Sequence, residues 1–432
     1  MMQIKAYAGT DPAPYHASRA ARSSRRALVA WAGVVLSAIL VCIFLNLPVY
    51  VRSLDQSMQP KLFYFAFMIL LFPILLSRLH AFLSYLTSPF GLWALALLAL
   101  NLLHLASDAQ TLTARGEALV GFRTQAIAMV LLLGFAFTQM RHSGWERYFV
   151  LLAVIVPGLV IADFLYPGLL YPPDTPGVVL GRASGTFINP TIAGEAIMLV
   201  FLLSYPMVHK RYRTALILLA GIAVLVTFTR AAMISWLVVW VFLMLRRRLP
   251  ALGAIAALAV VALPLAMGGL ESYISKRADF TSAIDNIQQR LMFFSKGRID
   301  DDSARERAAV LQAGWDAFID NPVTGIGAGV TDAGHSRLWP YEVGTHNQLI
   351  ALAAEYGVAG VIMWLWLLIL LVRGRYFSDR TLQASVILLF CAMTFFTHNM
   401  FDFPYWLLTF ALLSQRENAQ GRVVAMPDFG TV

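Results

Sequence analysis

Long apolar stretches, separated by short polar or basic turns, recur from one end of the chain to the other. They fall at 27–47, 61–77, 90–106, 120–140, 147–166, 192–208, 214–228, 231–245, 250–268, 358–372, 382–397 and 403–415. A helix needs about 20 apolar residues to cross the ~30 Å hydrocarbon core, so each stretch is a candidate span. Of the 432 residues 59% are hydrophobic and only 13% charged, against about a quarter charged in a soluble domain. Surface this apolar must be solvated by lipid. The expected fold is an all-α polytopic membrane protein with about twelve transmembrane helices. Cys42 and Cys391 both lie in apolar runs and offer neither a disulfide framework nor a metal-ligand spacing. The net charge of +9 suggests nucleic acid, yet no soluble segment pairs a basic face with interleaved aromatics, so no nucleic-acid partner is expected.

Basic residues in short loops set orientation. Arg19, Arg22, Arg25 and Arg26 precede the first apolar run, which is longer than a signal-peptide core and leads into Val49-Tyr50-Val51-Arg52 with no small-residue cleavage site. The N-terminus therefore reads as cytoplasmic. Alternating from there, His209–Arg213, Arg246–Arg248 and Arg373–Arg375 fall inside and most acids fall outside. With an even number of spans both termini are cytoplasmic, and in a bacterium the opposite side is the periplasm. The expected division is a tail at 1–26, spans at 27–268, a periplasmic loop at 269–357, spans at 358–415 and a tail at 416–432. The ends of the chain read as disordered.

The part of that loop at 269–345 is too long to be structureless unless it is functional. Ser303-Ala304-Arg305-Glu306 is a capping box. After it Ala308, Leu311, Trp315 and Phe318 share one helical face, and Asn321-Pro322 ends the helix. Ile284, Ile287, Leu291 and Phe294 form a second apolar stripe. Two amphipathic helices follow, which either roof a cavity or lie in the interface.

The polar residues Arg182, Arg230, Arg298, Arg305, Arg307, Arg337, His335 and His346 collect on the outer side. Ionisable groups at membrane depth are costly and are kept mainly for function. Arg230 ends Thr227-Phe228-Thr229-Arg230, directly before an apolar run; it is a functional cation or an arginine snorkelling from a helix end. Arg182 and Asn189 lie in Gly181-Arg182-Ala183-Ser184-Gly185-Thr186-Phe187-Ile188-Asn189-Pro190, a loop whose backbone amides suit an anion, or a plain turn cluster. His346 opens His346-Asn347-Gln348, with Gly357 and Gly360 beyond. The glycines suggest a break between a short outer helix and the span proper. His346 suits a general base, or simply begins a helix; for His335 and His398 the second reading fits better. Asp300-Asp301-Asp302 has carboxylates for a metal, but acids before a capping box favour the helix dipole, so no metal is expected. Gly325-Ile326-Gly327-Ala328-Gly329 follows a helix rather than a strand and is no nucleotide fingerprint.

The ordered series Gly181-Arg182…Phe187-Ile188-Asn189-Pro190, Thr227-Phe228-Thr229-Arg230, Arg307…Pro322-Val323-Thr324-Gly325-Ile326-Gly327, then His346…Gly357…Gly360 resembles the O-antigen ligase and Wzy polymerase superfamily over roughly 180–415. One departure is the crowding of Arg298, Arg305 and Arg307, of which Arg307 fits best by its distance to Pro322. The resemblance implies a GT-C-like glycosyltransferase of the bacterial inner membrane, acting in lipopolysaccharide biosynthesis with a periplasmic active site. Its donor would be an undecaprenyl-diphosphate-linked O-antigen and its acceptor the lipid A–core, with no nucleotide sugar, metal or other cofactor. Polymerases and protein O-oligosaccharyltransferases look similar. The residue types suit such chemistry. Arginine forks bind the diphosphate leaving group, which assigns Arg230 and Arg182 to it with Arg307 assisting, and His346 would take the acceptor's proton in one inverting displacement. A transporter or flippase of an anionic lipid or solute is the reading of another class. It would place ionisable residues near the bilayer midplane in both halves, whereas here they gather at one surface.

Overall fold

The computed structural model describes residues 13–107, 114–139, 144–172, 174–178, 181–249, 302–332 and 338–415, with single positions 253, 255, 334 and 336. Among them are fifteen α-helices and no strand. In chain order these are α1 (Ala13–Phe44), α2 (Leu47–Leu54), α3 (Pro60–Ser77), α4 (Leu79–Leu86), α5 (Pro89–Ser107), α6 (Ala114–Gln139), α7 (Tyr148–Leu165), α8 (Pro190–Ser204), α9 (Arg213–Val226), α10 (Arg230–Leu245), α11 (Asp302–Asp320), α12 (Gln348–Tyr356), α13 (Val358–Arg373), α14 (Arg380–Thr394) and α15 (Pro404–Leu413). Six segments, in α1, α3, α5, α6, α7 and from Pro190 to Met207, are long and apolar enough to cross a membrane; α10, α13, α14 and α15 are shorter apolar helices. The stretch expected at 250–268, apart from positions 253 and 255, the stripe from Ile284 to Phe294 and the acids Asp300 and Asp301 lie outside the described residues.

Two helices form the axis of the bundle. α8 packs on α7, α9, α10 and α14, and α15 is buried along its whole length. Close approach is set by small residues: a side chain at Gly194 of α8 would strike Ala232 of α10. Helices in lipid gain little from apolar burial against each other, so tight van der Waals packing at such positions replaces it.

Three expectations need correction. The N-terminal tail is helical from Ala13, because alanine and arginine are good helix formers. The helix of the outer loop begins at Asp302, before the capping-box Ser303. The third concerns which side of α11 is buried. Val310 is buried and Gly314 meets α12, whereas Leu311, Trp315 and Ile319 are exposed. A Cβ at Gly314 would lie 2.7 Å from Ile350 Cγ2 and from Thr345 Cγ2. The backbone approach that a glycine permits decides the docked face, and the bulky apolar residues turn outward.

The glycine break is where the spacing places it. α12 stops at Tyr356, Gly357 takes φ 63 and ψ −146, and α13 starts at Val358. A Cβ at Gly357 would lie 2.5 Å from Pro322 O. The glycine-rich loop closes the carbonyl end of α12: Ile326 N–H donates to Ala354 O (2.8 Å), Gly327 N–H to Glu355 O (3.2 Å), and Val358 N–H to Pro322 O (2.7 Å). Those carbonyls would otherwise lack partners.

Candidate active site

His346 stands just before α12, half-buried, with φ 52. Asn347 is the N-cap of α12, its Oδ1 accepting from Ile350 N–H (3.0 Å). Thr345 Oγ1 donates to Asn347 O (3.0 Å) and ties the turn across the histidine. Asn189 likewise caps α8, accepting from Thr191 N–H (2.8 Å). Both asparagines of the candidate set therefore begin helices.

Positive φ is uncommon outside glycine and costs most for a branched residue. Ile188 (φ 64), Phe228 (φ 46) and His346 (φ 52) all adopt it. One falls in each of the three polar motifs, next to Asn189, next to Thr229-Arg230, and at the histidine itself. Strain of this kind costs of order 1–3 kcal/mol per residue and clusters at functional sites.

The two arginine motifs meet. Arg182 Nε–H donates to Thr227 O (3.1 Å) and its Nη2–H to Thr229 Oγ1 (2.6 Å). Thr229 is the N-cap residue of α10, and Arg230, the first residue of that helix, is 9% exposed. Arg182 thus braces the turn that carries Arg230. The backbone amides of its loop are engaged internally: Ser184 N–H (2.8 Å) and Gly185 N–H (3.0 Å) donate to Asp163 Oδ2, as does Tyr171 O–H (2.8 Å). An anion held by those two amides, as the loop's composition suggests, would have to displace this buried carboxylate.

His346 meets His398 edge to face, with ring centroids 5.2 Å apart at 84°. His398 Nε2 lies 2.6 Å from Asp332 Oδ1. Burial lowers the tendency of His398 to hold a proton, but Asp332 outweighs it and raises the pKa. Burial alone would raise that of Asp332; His398 and Arg123 bring it below the ordinary value. Burial, then the charges of His398 and Arg307, push His346 down to about 4, against the pull of Asp332. His346 is therefore a neutral ring at neutral pH, able to accept a proton.

Behind this pair lies a buried ionic centre. Arg123 of α6 donates from Nε to Asp402 Oδ1 (2.5 Å) and from Nη1 to Glu355 Oε2 (2.9 Å) and Tyr356 Oη (2.7 Å). Thr331 Oγ1 donates to the other oxygen of Glu355 (2.7 Å). Glu195 of α8 accepts from Trp406 Nε1–H (2.6 Å) and Tyr405 O–H (3.2 Å), and it lies within the electrostatic reach of His398. Glu195 follows Gly194, which packs on Ala232, two residues after Arg230. Packing at Gly194 and the charge of His398 acting on Glu195 place the arginine motifs and the histidine on the same side of α8. A cavity of about 370 Å³ between Ser84, Tyr85, Gln139 and Gln415 lies at the opposite end of α6 from Arg123, and none of the candidate residues lines it.

Arg305 and Arg307 are exposed on the first turns of α11. Arg298, His335 and Arg337 lie outside the described residues. Among those described, no group of three or more His, Cys, Asp or Glu side chains has metal-binding geometry.

Residues 215–365 match the family model described as O-antigen ligase. The chain carries an O-antigen ligase family domain. The matched segment of this ligase domain contains Arg230, Arg307, Asp332, His346 and Glu355. Arg182, Asp163 and Glu195 precede it, and His398 and Asp402 follow. No curated protein sequence matches the chain. The match covers about a third of the chain and supports a role of the O-antigen ligase kind.

Sequence reasoning missed Arg123, Asp163, Glu195, Asp332, Glu355 and Asp402, and read His398 as a plain helix-start histidine. Four of them carried a usable signal. Arg123, Asp163 and Glu195 sit inside apolar runs, and Glu355 lies in the run leading to Gly357. A charge in such a run needs a partner, and pairing Arg123 with the acids would have exposed the centre.

Proposed function

We propose that this protein is an O-antigen ligase, transferring a glycan from undecaprenyl diphosphate to a sugar hydroxyl of the lipid A–core at the periplasmic face of the bacterial inner membrane. The reading includes twelve spans, both termini in the cytoplasm, and a metal-independent reaction. The observation that supports it most is His346, neutral and strained at the head of α12, in a domain of this family and joined through Glu195 and His398 to the turn that carries Arg230.

In the proposed reaction the acceptor hydroxyl oxygen attacks the anomeric carbon and the bond from that carbon to the diphosphate oxygen breaks. The hydroxyl proton passes to His346, and the lipid diphosphate leaves as an anion. A diphosphate needs little protonation to leave; it needs its growing charge met by fixed donors. Arg230 supplies that donor from the start of α10. Arg182 holds the turn and adds positive potential, and Arg307 contributes from α11. A single displacement inverts the anomeric configuration.

The test is reconstitution of the full chain in liposomes with purified lipid-diphosphate glycan, lipid A–core and EDTA. His346→Ala is expected to lower transfer by about 10²–10⁴-fold, and Arg230→Ala by about 10²–10³-fold. Full activity of His346→Ala refutes the base. A product with retained configuration refutes the single displacement. Elongation of the glycan on its own carrier, with none on the lipid A–core, makes the protein a polymerase.

A further inference from the structure

His398 has no part in the reaction just described, yet it is the side chain packed against His346. Three segments converge on it. Asp332 ends the short turn Val330–Asp332, which Thr331 fastens to Glu355. The loop between α14 and α15 carries His398 and is fixed at two points just beyond it, by Met400 N–H donating to Gln348 Oε1 (2.7 Å) and by Asp402 accepting from Arg123. The third segment is Gly344-Thr345-His346. A Cβ at Gly344 would lie 2.5 Å from His398 Nε2 and would also strike Asp332 Oδ1. The histidine–carboxylate pair fits beside the catalytic turn only because position 344 has no side chain. Both members of the pair are 15% exposed, so neither is a loose surface contact.

We propose that His398 and Asp332 are positioning residues for His346: the pair fixes the plane of its imidazole and supplies the charge against which that ring gains and loses its proton. The proposal rests on the ligase reading only in giving His346 a proton to accept. The edge-to-face contact restrains ring rotation at a residue whose backbone is already strained. When His398 holds its proton, which Asp332 favours, a proton arriving on His346 creates two neighbouring cations, which Asp332 offsets only in part. The proton is therefore held briefly and given up once the leaving group has gone. The other charges in this field are Arg307 from α11, acting on His346, Glu355 from α12 and Asp402 from the α14–α15 loop, acting on His398, and Arg123 from α6, acting on Asp332, while Glu195 of α8 lies within the field of His398. Removing His398 takes away one of the two cations that push the proton off His346.

The test has two arms on the full-length protein. In the first, the ring proton of His346 is titrated by NMR in detergent with selectively labelled histidine, without substrate. The wild type is expected to titrate near 4, and His398→Gln to move that value up by at least about one unit, toward the ordinary value for histidine. In the second, the pH profile of transfer is measured. His398→Gln is expected to shift its acid limb upward and to cut kcat by about 10–100-fold with donor KM within a factor of two, because misplacing a base by about 1 Å costs about 10²-fold. Asp332→Asn, which keeps the shape of the pair, is expected to lower the titration of His398 and to reduce kcat likewise. An unchanged His346 titration in His398→Gln overturns the proposal. So does a loss of rate equal at every pH, because a structural role alone would act that way. If the wild type transfers no glycan, the ligase reading fails, while the titration arm still decides the role of the pair.

Discussion

Replacing Gly314 with alanine should separate stability from catalysis. The new Cβ would stand 2.7 Å from both Ile350 Cγ2 and Thr345 Cγ2, whereas ordinary contact begins at 3.4 Å. The α11–α12 contact must therefore open by about 0.7 Å, a small forced shift of the kind overpacking produces. Overpacking of this size costs about 1–3 kcal/mol, and alanine recovers about 1 kcal/mol over glycine inside a helix. The net destabilisation is expected to be about 0–2 kcal/mol. The catalytic effect is larger. Thr345 precedes His346 and fastens its turn through Asn347, so the displacement passes directly into the proposed base. At about 10²-fold per 1 Å of misplacement, the transfer rate should fall by roughly 10–100-fold. The assay pairs thermal unfolding in detergent with single-turnover transfer under saturating donor. A variant with wild-type rate and a wild-type Tm would refute the reasoning, because the collision would then be absorbed without reaching the histidine.

Arg123→Met leaves Asp402 and Glu355 buried without their cation, and breaking such a pair is expected to cost about 3–5 kcal/mol; chemical unfolding read against Asp402→Asn checks it, and a loss under 1 kcal/mol would refute the pairing. Asp163→Asn removes the charged acceptor of Ser184, Gly185 and Tyr171; each hydrogen bond to a charged group is worth about 1.5–3 kcal/mol, and the loosened Arg182 loop should raise donor KM more than it lowers kcat in steady-state assays. The pH dependence follows from His346, whose folded pKa is lowered to about 4 from 6.5. Transfer should persist as pH falls through 6 and fail only near 4, and an acid limb at 6.5 would refute the assignment. The depressed ring contributes stability above 6.5 that is lost as pH falls toward 4. His398, with its raised pKa, contributes stability present below 6.5 and lost as pH rises through its folded value, so the two oppose and the rate profile is the cleaner readout.

Much of the architecture is legible in the sequence because lipid imposes a single rule. Every apolar run must satisfy its backbone internally, and a helix does so. The break at Gly357 and the cluster of Thr227–Arg230 are legible for the same reason, since glycines and charges stand out against an apolar background. What burial pattern alone leaves open is the side on which a helix docks. The stripe of Leu311 and Trp315 is a sound guide in water, where large apolar groups must hide, and a poor one beside a membrane, where they need not. The pairing of His398 with His346 joins residues 52 positions apart through two loops without periodicity, and no local pattern announces it.

The break at Gly357 also bears on how the protein meets bilayers of different thickness. Spans adjust to hydrophobic mismatch by tilting, and a histidine mounted on a continuous helix would swing with the span. Here α12 is held to α11 at Gly314, to the α14–α15 loop at Gln348 and to the glycine-rich loop at its carbonyl end. Gly357 separates α13 from that anchored helix. With tilt confined to the part of α13 beyond Gly360, the rate of the proposed glycan transfer should vary little across vesicles of differing acyl-chain length.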